Sequence, residues 1–292
     1  MIGRRLATSA MAVVAVAGGI LLLGPGGPSP AVEVAARRAI LRTADEADVA
    51  LSGLAAALVP AVDAGRAGSA RAVAGDEAPG PMFADAAELT RAAEAKAAAA
   101  REALVALNRA RNARDPGASE IEPVAEPGEL DSIAEQLSAA AETGDEFAAM
   151  RDRAFSVIGE LDDAIAALDA GDLAGARDHV GRARDAHTAV AAWDVGLVTL
   201  PVWVETTDAM IAAVERIITA TERGDSAAAQ RAAEDFVARA DDAAPADRAL
   251  RIAIGEGGSA VAAVPLERLA TILTSIDDAR AAVASVREAA QR

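Results

Sequence analysis

His179 and His187 are the only imidazoles in this chain, and Trp193 and Trp203 its only indoles. Imidazole suits metal ligation and proton transfer near neutral pH. The two histidines stand eight residues apart, about 80° out of register on a helix, so one ion would not meet both. No Asp or Glu stands three or four residues from either in a way that makes a paired helical metal motif. Both read as exposed helix histidines, and neither a metal site nor a cofactor is expected.

Other chemistry is equally unmarked. There is no cysteine, no G-x-S-x-G, no P-loop and no D-x-D-x-D-G calcium loop. The run GEGG at 255–258 follows a helical pattern with no strand before it, which does not make a phosphate cradle. Acids are numerous, 45 in all, and no spacing singles out an acid–base pair. The chain is therefore not expected to be an enzyme.

The tryptophans lie in AAWDVGLVTLPVWVETTD, residues 191–208. Trp193, Pro201 and Trp203 could line a groove for a peptide or apolar ligand. With Val195, Leu197, Val198 and Leu200 they could instead touch lipid, against which Asp194 and Glu205 weigh. The favoured reading is core: two large side chains fill space between helices built of small ones. VTLPVWV is rich in β-branched residues, as strands are, but its flanks are helical. Pro201 belongs in a first turn, so one helix should end near 197–199 and the next should begin there.

The elements that must position these residues are alanine-rich. The chain of 292 residues contains 82 alanines, 27 arginines and one lysine, Lys96. Tyrosine is absent and asparagine occurs only at Asn108 and Asn112, the bias of a GC-rich bacterial genome. Alanine is the best helix former, but it buries little area, and burial is worth about 25 cal/mol per Å². An all-α fold follows: an extended antiparallel bundle of helical hairpins with close alanine seams.

Four segments carry apolar residues at steps of three and four. The first runs through Ile40, Ala44, Ala47, Leu51, Leu54 and Leu58, a coiled-coil-like line that Pro60 should end. The second, about 84–113, carries Leu89, Ala93, Ala97, Ala100, Leu104 and Leu107. The third keeps phase from Leu130 to Leu168 across Gly144, which fits one long helix or two helices meeting at Gly144, with one long helix favoured. Helices are expected at about 200–222, 226–241 and 245–255, the last starting at Pro245 and broken by Gly257-Gly258. A final helix, about 265–290, carries Leu266, Leu269, Leu273, Ile276, Val283 and Val286.

The pair Gly171-Asp172 recurs as Gly224-Asp225, each between two helical stretches. Glycine ends one helix in the left-handed region and aspartate caps the next. The device resembles the hinge of tetratricopeptide-type hairpins over fewer than twenty residues per copy. The large residues of that repeat are missing and the offset of 53 residues is too long, so it is read as hairpin grammar alone.

The expected organisation is residues 1–31 as a signal peptide, 32–113 as a helical hairpin, 114–128 as a Pro/Glu-rich linker and 129–292 as a bundle. Arg4 and Arg5 precede the apolar run 6–24, and Pro25–Pro30 stops it, the order of a secretory signal. Cleavage after Ala31 is expected, with Ala36 second. The alternative is an uncleaved anchor at 6–24, about 28 Å long as a helix. Both place the rest outside the cytoplasm. The absence of cysteine excludes a lipoprotein and a disulfide framework.

The net charge of −17, with arginines interspersed among acids, argues against nucleic acid. The expected function is that of an exported, non-enzymatic helical module that binds or spaces partners at the bacterial cell envelope. The alternative is a periplasmic or surface ligand-binding or sensor module with its pocket at the 193–204 kink. The partner would be an envelope protein or a small ligand.

Overall fold

The computed structural model describes residues 29–75, 77–193 and 196–292. Among these it is an all-α helical bundle of seven helices with no strand. The helices are α1 (Pro30–Ala74), α2 (Gly80–Arg114), α3 (Glu129–Asp169), α4 (Leu173–Ala191), α5 (Leu200–Glu222), α6 (Ser226–Ala260) and α7 (Ala263–Gln291). The export or anchor segment, 1–31 or 6–24, lies outside the described residues except for 29–31. By length and composition α1 itself is long and apolar enough to cross a membrane. In this fold its apolar line Ile40, Ala44, Ala47, Leu51, Leu54 and Leu58 is buried.

The chain divides into two compact units, each discontinuous in sequence. One takes residues up to Pro60, Leu89–Ser132 and Arg268–Arg292; the other takes Ala61–Glu88 and Ile133–Glu267. The first unit buries the α1 line, the line Thr90, Ala93, Ala97, Ala100, Leu104 and Leu107 of α2, and Leu269, Ile272, Ile276 and Val283 of α7. Arg280 donates to Asp48 at 3.2 Å and Arg287 pairs with Asp45 at 2.7 Å, tying α7 to α1. Leu89, expected in the α2 seam, is exposed, and Thr90 takes the buried place. Both positions fit three-four steps between Ala86 and Ala93, so spacing alone does not separate them, and the helix turns Thr90 to the inside.

Three expected breaks are absent. Pro60 lies inside α1 and Pro245 inside α6. An interior proline removes one backbone bond and costs about 3 kcal/mol, and buried residues on both sides offset that loss. Leu58 and Ala61 flank Pro60, and Ala243 and Ala246 flank Pro245. Gly257-Gly258 does not end α6 either. A Cβ on Gly257 would stand 2.5 Å from Cε1 of Phe147, and one on Gly255 would stand 3.0 Å from the Ala72 carbonyl oxygen. These glycines allow close approach between elements and do not serve as a stop.

Residues 114–128, expected as a linker, form a packed strap. The Asn108 amide brackets the Ile121 backbone, donating to its carbonyl at 2.8 Å and accepting from its N–H at 3.0 Å. Ile121, Val124 and Ala125 are buried. The prolines shape this segment without freeing it.

The second unit contains the hairpins. α3 is one helix across Gly144, the favoured of the two readings of its continuous phase. At Asp172 and Asp225 the backbone torsions match within a degree, φ −88° with ψ 82° and 83°. Each carboxylate accepts from the N–H three residues on, Gly175 and Ala228, at 2.9 Å. Gly171 and Gly224 sit at φ +77° and +66°, where a side chain is strained. Each turn folds its second helix back antiparallel on the first. α4 and α5 are also antiparallel, joined by Arg184 to Glu215 at 2.9 Å.

Candidate functional site

The bend between α4 and α5 runs from Ala192 to Thr199. α4 ends at Ala191, about two turns earlier than the sequence suggests, and Trp193 N–H still bonds the Val190 carbonyl at 3.1 Å. Gly196 turns the chain at φ +67°. Pro201 falls in the first turn of α5, where its missing N–H costs nothing.

Trp203 is fully buried, at 0% exposure. Its indole N–H donates to Asp247 Oδ1 at 3.4 Å, and Asp247 Oδ2 accepts from Arg251 at 2.6 Å. The Arg251 guanidinium in turn lies 3.7 Å over the Phe155 ring, a cation–π contact. On another side Trp203 stacks on His187, which is buried at 7% exposure. His187 is therefore not an exposed helix histidine. Its Nε2 stands 2.9 Å from the Val204 carbonyl. A carbonyl only accepts, so this nitrogen carries the proton.

Trp193 is half-buried and meets Phe147 edge-on, with centroids 5.0 Å apart and planes at 77°. Pro201 is exposed. The three residues considered as a ligand site thus do not converge on one cavity. Trp203 plugs the core, Trp193 caps its edge and Pro201 starts a helix. Of the apolar residues considered for lipid contact, Val198 is exposed, Leu200 is buried, and Val195 lies outside the described residues together with Asp194.

Open grooves flank α5. One of 690 Å³ lies between α5 and α6, lined by Arg216, Arg223 and Arg231 with Asp225 and Asp235. A second, of 400 Å³, lies between α4 and α5 beside Arg177 and Arg184. Both grooves carry cations and acids together, and much of that charge is already paired: Arg216 with Asp235, Arg177 with Glu222, and Arg184 with Glu215.

A compact polar cluster joins α3 and α4. Glu160 Oε2 stands 2.7 Å from His179 Nδ1, and Arg182 Nε stands 3.0 Å from each Glu160 oxygen. Arg182 Nη2 stands 2.6 Å from that same His179 Nδ1, and Asp163 Oδ2 lies 3.9 Å from it. The Arg182 hydrogen bond, opposed by partial burial and aided by His179, holds the Glu160 carboxyl below its ordinary value. The spacing rules missed this cluster because its members come from two helices. The turn at Gly171-Asp172 was the available signal, since residues nearly equidistant from a hairpin turn meet.

Comparison with protein families, curated proteins and solved structures finds no match. The functional reading rests on this chain's own geometry.

Proposed function

We propose that this chain is an exported, non-enzymatic helical module that binds or spaces partners at the bacterial cell envelope. One observation carries the choice over a pocket-bearing sensor. Trp203, in the first turns of α5 beside the bend, is closed in on all sides by the protein itself. An indole enclosed by its own fold supports a packed core beside the bend over a ligand pocket. Partner contact then falls to open helical faces such as the grooves beside α5, where mixed charge gives selectivity more than affinity. The ordered positive, apolar and Pro/Gly stretches of residues 1–31 support export.

Two measurements test this. A fusion of residues 1–40 to a reporter active only outside the cytoplasm should be active; a silent but stably made fusion would overturn export. A thermal-shift screen of the full chain should give no small-molecule hit that depends on the bend. A hit retained by wild type and lost in Trp203→Phe would favour the sensor reading.

A further inference from the structure

The Glu160–His179–Arg182 cluster contains a conflict in the arrangement its side chains adopt. His179 Nδ1 lies 2.7 Å from a carboxylate oxygen and 2.6 Å from a guanidinium nitrogen. A ring nitrogen either carries a proton or presents a lone pair. With a proton, it donates to Glu160 and directs that proton at Arg182's N–H. Without one, it accepts from Arg182 and turns its lone pair on Glu160. In every protonation state one of the two contacts is repulsive.

A metal cation satisfies all the acceptors together. Glu160 Oε2, Asp163 Oδ2 and His179 Nδ1 lie within 4.8 Å of one another. Tetrahedral bonds of about 2.0–2.1 Å set neighbouring ligand atoms about 3.3 Å apart. The observed separations from Nδ1, 2.7 and 3.9 Å, bracket that value. Opening one and closing the other by about 0.6 Å is within rotamer adjustment, because Asp163 is exposed and His179 partly so. One imidazole and two carboxylates form a mixed N/O set that suits zinc and its neighbours more than calcium or magnesium.

We propose that Glu160, Asp163 and His179 form a binding site for a borderline divalent cation of the zinc class, in which the Arg182 guanidinium stands where the ion would sit. Arg182 is half exposed, so it can swing into water when the ion enters, and Asp178 nearby attracts it. The ion then replaces one positive charge with two at a point faced by three acids. Three protein ligands leave a fourth position for water.

The test titrates zinc chloride alone into the tag-free full chain, by calorimetry in a non-chelating buffer. The expected result is one ion per chain. Arg182→Gln should bind at least about fivefold tighter, because the competing cation is gone. Asp163→Asn, at an exposed position where folding is not at stake, should weaken binding by about tenfold or more, and so should Glu160→Gln. The absorption of bound cobalt should report a nitrogen ligand that His179→Ala removes, with helicity checked by circular dichroism. No binding by wild type and Arg182→Gln would overturn the proposal. So would binding left unchanged by Asp163→Asn and Glu160→Gln, the mark of scattered surface carboxylates. Weaker binding by Arg182→Gln would overturn the arginine's role as a stand-in.

Discussion

The imidazole of His187 lies over the indole of Trp203, with centroids 5.6 Å apart and planes 24° from parallel. The pair joins the last turns of α4 to the first turns of α5. His187 also binds the backbone of the residue next to its stacking partner, the Val204 carbonyl. One side chain therefore fixes both the face and the height of α5 against α4. This closes the core beneath the bend.

Trp203→Ala should destabilise the protein by about 3–5 kcal/mol, as truncation of a buried aromatic does. Trp203→Phe should cost less, since it keeps a ring against His187. Iodide quenching of wild type should divide the emission in two: a blue-shifted, protected part from Trp203 and an accessible part from Trp193. Uniform, free quenching with an unchanged urea midpoint in Trp203→Ala would contradict the buried placement.

Thr207 stands one turn after Trp203, at 1% exposure, and its hydroxyl has no hydrogen-bond partner among the described residues. Thr207→Val keeps the shape and removes the buried polar group. It should raise stability by about 1 kcal/mol, read as a higher urea midpoint at unchanged slope. A loss of stability would mean that the hydroxyl is satisfied.

Asp172→Ala and Asp225→Ala should each cost about 1 kcal/mol, the usual loss for a helix cap. The two costs should be similar, because the turns share torsions and bond lengths. Thermal melts of the two single variants test both the size and the match.

Helical glycines should divide by what faces them. Gly159 and Gly181 face open space, so alanine there should stabilise by about 0.5–1 kcal/mol. Gly255 faces the Ala72 carbonyl and the Val73 backbone, which cannot turn aside, so Gly255→Ala should destabilise. Melting temperatures moving in the same direction for all three would refute the close approach.

Acid should weaken the α3–α4 contact through Glu160. Its folded pKa is lowered, chiefly by the Arg182 hydrogen bond, from an ordinary 4.5. The stabilisation it gives is present above that ordinary value and is lost as pH falls through the lowered folded one. With chelator present, wild type should exceed Glu160→Gln in urea midpoint at neutral pH. The two should converge below 4.5. A gap that persists in acid would assign the difference to packing.

The sequence revealed the seams better than the breaks. Every member of the Ile40–Leu58 line is buried, because three-four spacing of leucine and alanine has one packing solution. Pro60 and Pro245 misled because local propensity is a few kcal/mol at most and flanking burial exceeds it. Gly257 misled for another reason: a missing side chain looks the same in a stop and in a close contact, and only Phe147 tells them apart. The tryptophan core was legible from scarcity, since few other side chains could fill it. His187 was not, because its aromatic partner Trp203 and its carbonyl partner Val204, seventeen residues on, belong to another helix. Glu160 and His179 stayed hidden for the same reason, although the Gly171-Asp172 turn between them was visible.

The pairing of Arg280 with Asp48 spans 232 residues, and this imposes an order of events on the growing chain. The unit that contains α1 draws its remaining wall from the last helix. The ribosome delivers the chain from its N-terminus, so the Ile40–Leu58 stripe emerges long before α7 exists to cover it. The second unit also takes in residues 61–88, but most of it is α3 to α6, which follow one another directly and can assemble from neighbours as they appear. Loss of the C-terminal helix therefore strips the N-terminal one of its cover, and a late stop codon exposes the same apolar surface that a nascent chain must shield.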